Sequence, residues 1–221
     1  MNALLQEYGS ALLTKTGEHL FIAAIALLLG VLVAVPIGLA ITRTRRLGKI
    51  VMGIAALLQT VPSLALLAFM IPIFSVGKPP AIVALFLYSL SPIIRNTYIA
   101  ITNVDGDLID AAKGMGMTSG QILRKVELPL GMPIIMAGIR LSAVYVIAWT
   151  TLASYIGAGG LGDFIFTGLN NYKIDMLILG TIPISILAVL TDLLFGKLEN
   201  ALSPRMSSPQ MTKKVKGGQH A

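Results

Sequence analysis

The chain has 221 residues, 55% of them hydrophobic and 12% charged, with a mean hydropathy of +0.82; soluble domains average about 25% charged residues, so water is not its main solvent. Cysteine is absent, which excludes a disulfide framework, a thiolate metal site and a cysteine nucleophile. The formal net charge of +7 would raise nucleic acid as a partner of a soluble protein, but here several uncharged runs approach the roughly 20 residues that cross a bilayer, and the placement of each cation matters more.

Residues 1–18 are mildly amphipathic and lack the early basic stretch of a secretory signal, so they read as an extracytoplasmic segment ahead of a true span. The first span is predicted over about 20–41 and ends at Arg43, Arg45 and Arg46. Cations accumulate on cytoplasmic loops, which places this end inside and the N-terminus outside. Gly30, Ala34 and Gly38 recur every four residues, a small-residue face that lets two helix backbones approach closely in lipid.

A second span is predicted as one run over about 50–74, with Gln59, Thr60 and Ser63 on one face beside Pro62. Polar groups at that depth need an internal partner, so this face should turn toward protein or pore. The third span, about 80–101, carries Arg95; the fourth, about 132–153, carries Arg140; the fifth, about 176–196, carries Asp192. Snorkelling or a mutual salt bridge accounts for these three. His19 and His220 have no spacing partner and read as exposed. Segment 102–130 is too charged to be a span and is predicted as a cytoplasmic loop, while 203–221 reads as a basic, disordered cytoplasmic tail. The chain is therefore expected to be an all-α polytopic membrane protein of about five transmembrane helices, N-terminus out and C-terminus in. On that threading 12 Lys and Arg lie inside against 3 outside, Lys15, Lys78 and Lys173, which disfavours the reverse topology.

Asp110 to Pro129 reads DAAKGMGMTSGQILRKVELP. Ala111, Ala112 and Gly116 let a short helix lie close against another protein, Gly114 and Gly116 permit a sharp turn, and Pro129 is expected to end a second helix. The segment resembles the cytoplasmic EAA loop of ABC importer permeases: Asp110, Ala111, Ala112, Gly116, Val126, Leu128 and Pro129 fall at its spacing, with Asp110 in place of Glu and Val126 in place of Ile. The resemblance covers about residues 16–197 and implies the type I (MetI-like) permease architecture, in which this loop docks on an ATPase.

Farther along, Gly157, Gly159 and Gly162 match G-x-G-x-x-G, but no strand precedes them and Ile182, about 20 residues on, is not acidic, so this is not a nucleotide site. The stretch from Thr151 to Asn170 is similar to the extracellular segment of osmoprotectant permeases for glycine betaine, carnitine or choline. That resemblance implies a transport subunit of the bacterial cell membrane, not an enzyme, with no cofactor of its own. ATP and Mg would sit on two cytoplasmic ABC ATPase subunits. The other implied partners are a second copy or homologous permease, an extracytoplasmic substrate-binding protein and membrane lipid.

Candidate pathway residues are Gln59, Thr60 and Ser63, together with Tyr145, Trp149 and Tyr155, whose rings suit a quaternary ammonium but also suit helix packing or a membrane interface. Alternatives are a related importer such as one for methionine, whose permeases carry similar glycine runs, or an ion-coupled carrier. The carrier should show acids buried mid-span or an inverted repeat, and neither is visible. An intramembrane enzyme would need a base that the spans lack.

Overall fold

The computed structural model describes residues 2–203, as backbone alone over 2–7 and at residue 45; His220 and all of the expected tail but Ser203 lie outside the described residues. The described chain is helical, without strands: α1 (Asn2–Ile41), α2 (Arg45–Thr60), α3 (Ser63–Phe74), α4 (Lys78–Thr102), α5 (Gly106–Gly114), α6 (Ser119–Ile122), a π-helical turn (Leu123–Glu127), α7 (Leu128–Ala153), a 3-10 turn (Ser154–Ile156), α8 (Gly162–Asn170) and α9 (Ile174–Leu202). Four stretches are long and apolar enough to cross a bilayer: Tyr8–Ile41, Lys78–Thr102, Ser119–Ile156 and Ile174–Leu202. A fifth exists only as the pair α2 and α3, bent by 97°.

That bend corrects the single run expected over 50–74. Pro62 has no N–H to continue the ladder and pushes the preceding residue out of the helical region; Val61 is accordingly extended, at φ −67° and ψ 128°. Gln59 and Thr60 end α2 and Ser63 begins α3, so the break divides the face on which all three were placed.

At the core is α4, flanked by α1 and α7. The small residues predicted on α1 are the ones that meet it. Gly30 backs onto Ser89, Ala34 is fully buried, and a Cβ on Gly38 would stand 2.6 Å from Cβ of Thr97. From the other side, a Cβ on Gly138 would stand 2.5 Å from Cβ of Asn96, and one on Gly131 would stand 3.0 Å from the carbonyl oxygen of Ala100. Ser142 donates to the Ser89 carbonyl at 3.0 Å. Apolar groups beyond these seams, such as Leu28, Leu32, Val189 and Leu193, are exposed, as the lipid-facing surface of a bundle requires.

Two further differences from expectation involve contacts between distant parts of the chain. Helix α1 begins at Asn2 instead of near residue 20, and from Tyr8 onward it has tertiary support: the rings of Tyr8 and Phe164 meet edge to face at 6.3 Å, and Leu12 packs on the cluster of Leu161, Phe164 and Leu179. His19, expected to be exposed, is fully buried, with Nε2 2.9 Å from the Ile147 carbonyl oxygen.

Replacing Gly38 by Leu should destabilise the bundle by about 1–3 kcal/mol through overpacking against Thr97. Gly53→Ala on α2, where a Cβ meets nothing within 4 Å, should be neutral or stabilise by up to about 1 kcal/mol. Thermal unfolding in detergent distinguishes the two.

Candidate functional site

The segment between α4 and α7 folds as an elbow. Asp105 caps α5 by accepting the Asp107 N–H at 3.0 Å, and Thr118 and Gln121 form a reciprocal capping box on α6. Between them Gly116 takes φ +79°, a left-handed conformation that costs side-chain-bearing residues about 1–2 kcal/mol; Gly114 stays helical. Ala112 is buried inside the elbow, whereas Asp110, Ala111 and Gly116 lie on its exposed surface with Leu108 and Met115. Asp110 bridges Lys113 one turn on at 2.9 Å.

Val126 and Leu128 are half-buried and Pro129 is exposed. Pro129 does not end a helix, contrary to expectation: it is in the first turn of α7, and the helical path runs on from Ser119 to Ile156. The π-helical turn before it explains this, since its wider register relieves the clash that a proline ring makes with the preceding turn. Leu128 N–H reaches back to the Leu123 carbonyl.

Glu127, at the end of the π turn, has a side chain 5% exposed and accepts from Nη2 of Arg43 at 3.0 Å. From sequence Arg43 served only as a marker of topology, and Glu127 was not assigned a role. Nothing in a linear pattern pairs positions 84 residues apart, although Glu127 is the acid inside the I-x-L-P-like stretch. The Thr-x-x-Gln of the capping box was legible and was missed.

The second constellation lies in the bundle. Tyr145, 39% exposed, stacks on Trp149 with ring centroids 5.5 Å apart, and Trp149 meets Tyr88 at 4.5 Å. Tyr88 in turn donates to the Val61 carbonyl at 2.6 Å, so the hydroxyl satisfies a backbone group released by the proline break and joins the aromatic cluster to the bent span. Tyr155 stands apart from this group and packs on Phe166. Gln59 lines a cavity of about 310 Å³ with Ser91 and Arg95. Thr60 bonds back to the Leu57 carbonyl, and Ser63 is placed beyond the bend. Arg140 finds the partner expected of it, a two-pronged bridge to Asp192 at 2.6 and 2.7 Å, and adds Glu199 at 3.2 Å. Among the described residues Arg95 makes no such bridge.

The glycine-rich run is a clasp at the opposite end of α1 from Arg43. Gly157, Gly159 and Gly160 all have positive φ. Gly160 N–H donates to Oε2 of Glu18 at 3.0 Å, Lys15 bridges Glu18 at 3.0 Å and Asp163 at 2.6 Å, and Lys78 approaches Glu18 at 3.6 Å. A side chain at Gly159 would meet the Glu18 carboxylate, and one at Gly160 would press on His19. The glycines thus seat a loop on α1. Among the described residues no group of three or more acids or histidines converges as a metal site.

These features have counterparts among known proteins. Residues 26–208 match the model of the family described as binding-protein-dependent transport system inner membrane component. The chain is 56% identical over 90% of its length, and 92% of the relative's, to the carnitine transport permease protein OpuCB of Listeria monocytogenes. It is 52% identical over 93% of its length, and 94% of the relative's, to the glycine betaine/carnitine/choline transport system permease protein OpuCB of Bacillus subtilis. Its fold is similar to a chain of the MetNI methionine ABC transporter in an inward-facing conformation, with a TM-score of 0.79 at 25% identity, covering 86% of this chain and 96% of that one. By the extent of the family match and by relatives more than half identical across nine-tenths of its length, the chain belongs to the binding-protein-dependent transport system inner membrane components, the multi-pass membrane permeases of ABC importers.

Proposed function

We propose that this permease forms the translocation path for quaternary ammonium osmoprotectants, of which glycine betaine, carnitine and choline are the expected cargoes, and that the elbow 106–122 is where separate ATPase subunits dock. The observation that carries the coupling reading is the elbow itself: a capped, compact turn that offers Ala111, Met115 and Gly116 on its surface and continues without a break into α7. An apolar, small-residue surface of this kind suits a groove on a partner protein. Helical continuation into α7 gives a push there a path to the bundle. In this reading the elbow end faces the cytoplasm and the clasp end faces outward, as the cation bias suggests. ATP and Mg would then belong to the ATPases, and a binding protein would deliver cargo at the clasp end. A second copy of this chain, or a homologous permease, completes the pore.

Substrate class is supported by the transport specificities for which the two OpuCB relatives are named and by the aromatic cluster. A trimethylammonium group cannot accept or donate ordinary hydrogen bonds and is held by ring faces, at about 0.5–2 kcal/mol per ring depending on desolvation. Tyr145 and Trp149 present such faces, with Tyr88 locking Trp149 from behind; Gln59 shares its cavity with Arg95, whose charge would repel the cation, so the rings and not that cavity carry the substrate reading. Thr60 and Ser63 flank the bend, where they contribute less to this reading.

Three outcomes test it. In proteoliposomes containing the permease, its ATPase and its binding protein, uptake of labelled glycine betaine should require internal ATP and survive a protonophore; the reverse pattern would mean an ion-coupled carrier. Trp149→Leu should raise the half-saturating concentration of binding-protein-delivered glycine betaine by about 2- to 30-fold, the equivalent of the ring contribution above, while leaving the ATP requirement intact. Gly116→Leu should abolish uptake without loss of the permease from the membrane, and normal uptake by that variant would refute docking at the elbow.

A further inference from the structure

The elbow joins the bundle covalently through the π turn, and beside that joint stands one charged contact whose two partners have unequal surroundings. The Glu127 side chain is 5% exposed and the Arg43 side chain 48% exposed, at 3.0 Å. Among the described residues it is the one ion pair between the elbow or its joint and a different transmembrane helix; Lys113–Asp110 stays within α5. Arg43 would lose little by turning to water. A carboxylate as dry as Glu127 cannot be left ionised without a counter-charge at comparable cost. Displacement of the π turn must therefore bring Arg43 with it or strand a buried charge.

The backbone at this point is compliant. A π-helical turn is a rare interruption of the α ladder that is often found at functional sites, and Pro129, two residues on, has no N–H to give. Left alone, such a joint would absorb a push by bending. Arg43 lies just past the end of α1, five residues beyond Gly38, where α1 is seated on Thr97 of α4.

We infer that the Arg43–Glu127 pair is a strap that makes α1 follow the elbow, so that motion delivered at Asp110–Gly116 moves α1, α4 and α7 together and is not dissipated at the π turn. This rests on the reading of the elbow as the ATPase-docking element. Both residues are positioning residues, in contact with neither nucleotide nor cargo.

The test is the ratio of glycine betaine transported to ATP hydrolysed, measured in the same proteoliposomes of the full transporter with its binding protein. Arg43→Gln and Glu127→Gln should each lower that ratio at least about fivefold, the smaller end of ordinary coupling between sites, while hydrolysis stimulated by the loaded binding protein persists. Arg43→Lys, which keeps the charge, should restore most of the ratio. Wild-type ratios in both glutamine variants would overturn the strap. So would a fall that Arg43→Lys does not rescue and that merely tracks a lowered thermal midpoint. Gly116→Leu in parallel separates the two levels: if it transports normally, the docking reading fails and the strap fails with it, whereas lost transport there beside unchanged ratios in both glutamine variants overturns the strap alone.

Discussion

Helix α4 can be approached to within backbone distance on two sides because the residues that face it from α1 and α7 have almost no side chains. In lipid there is no hydrophobic gain from pressing one apolar helix on another, so association depends on close van der Waals contact and a few internal hydrogen bonds. Gly30, Ala34 and Gly38 supply the first seam, Gly131 and Gly138 the second. Ser142 adds a hydrogen bond to a backbone carbonyl of α4. Everything else in the bundle is hung on these three helices: α2 and α3 cross α4, while α8 and α9 pack behind α7.

The two ends of this block are finished differently. At the clasp, four charged side chains and two left-handed glycines, Gly159 and Gly160, converge on one turn of α1. Glu18 there accepts from a backbone N–H and faces two lysines, so its charge is satisfied from several directions and the loop has one seat. At the elbow the attachments are few: a π turn, a proline and a single dry carboxylate with one arginine. If the elbow is the ATPase-docking element proposed above, that asymmetry suits it, because a driven element must be able to move as a unit while the far end keeps the helices in register.

Much of the bundle was legible in the sequence, for physical reasons. Uncharged runs report spans because the hydrocarbon core tolerates nothing else, and a four-residue repeat of small side chains on α1 reports a close helix contact. The elbow was legible because Gly116 and the alanines sit at fixed spacing, a constraint that acts locally. What stayed hidden is what depends on partners distant in the chain. Pro62 was noted, but not that the Tyr88 hydroxyl, 27 residues on, donates to the Val61 carbonyl and so satisfies a backbone group at the 97° bend. Pro129 was read as a terminator because no pattern announces the π turn that accommodates it. His19 looked like an ordinary surface histidine until Ile147, 128 residues away, was seen to hold its Nε2.

The bent span links these observations to cargo. A straight helix over 50–74 would present no free backbone group at mid-depth; a broken one exposes the ends of two short helices. One freed carbonyl is taken by Tyr88, whose ring also fixes Trp149. The aromatic surface is thus not simply attached to the bundle but positioned by the break. Because Tyr88 belongs to α4, any shift of the α1–α4–α7 block relative to α2 and α3 must strain that hydroxyl contact or move the break with it. On the proposed reading, in which Tyr145 and Trp149 hold an ammonium group, a tilt of that block would carry their rings with it, while the 2.6 Å hydrogen bond from Tyr88 ties the break to the central helix.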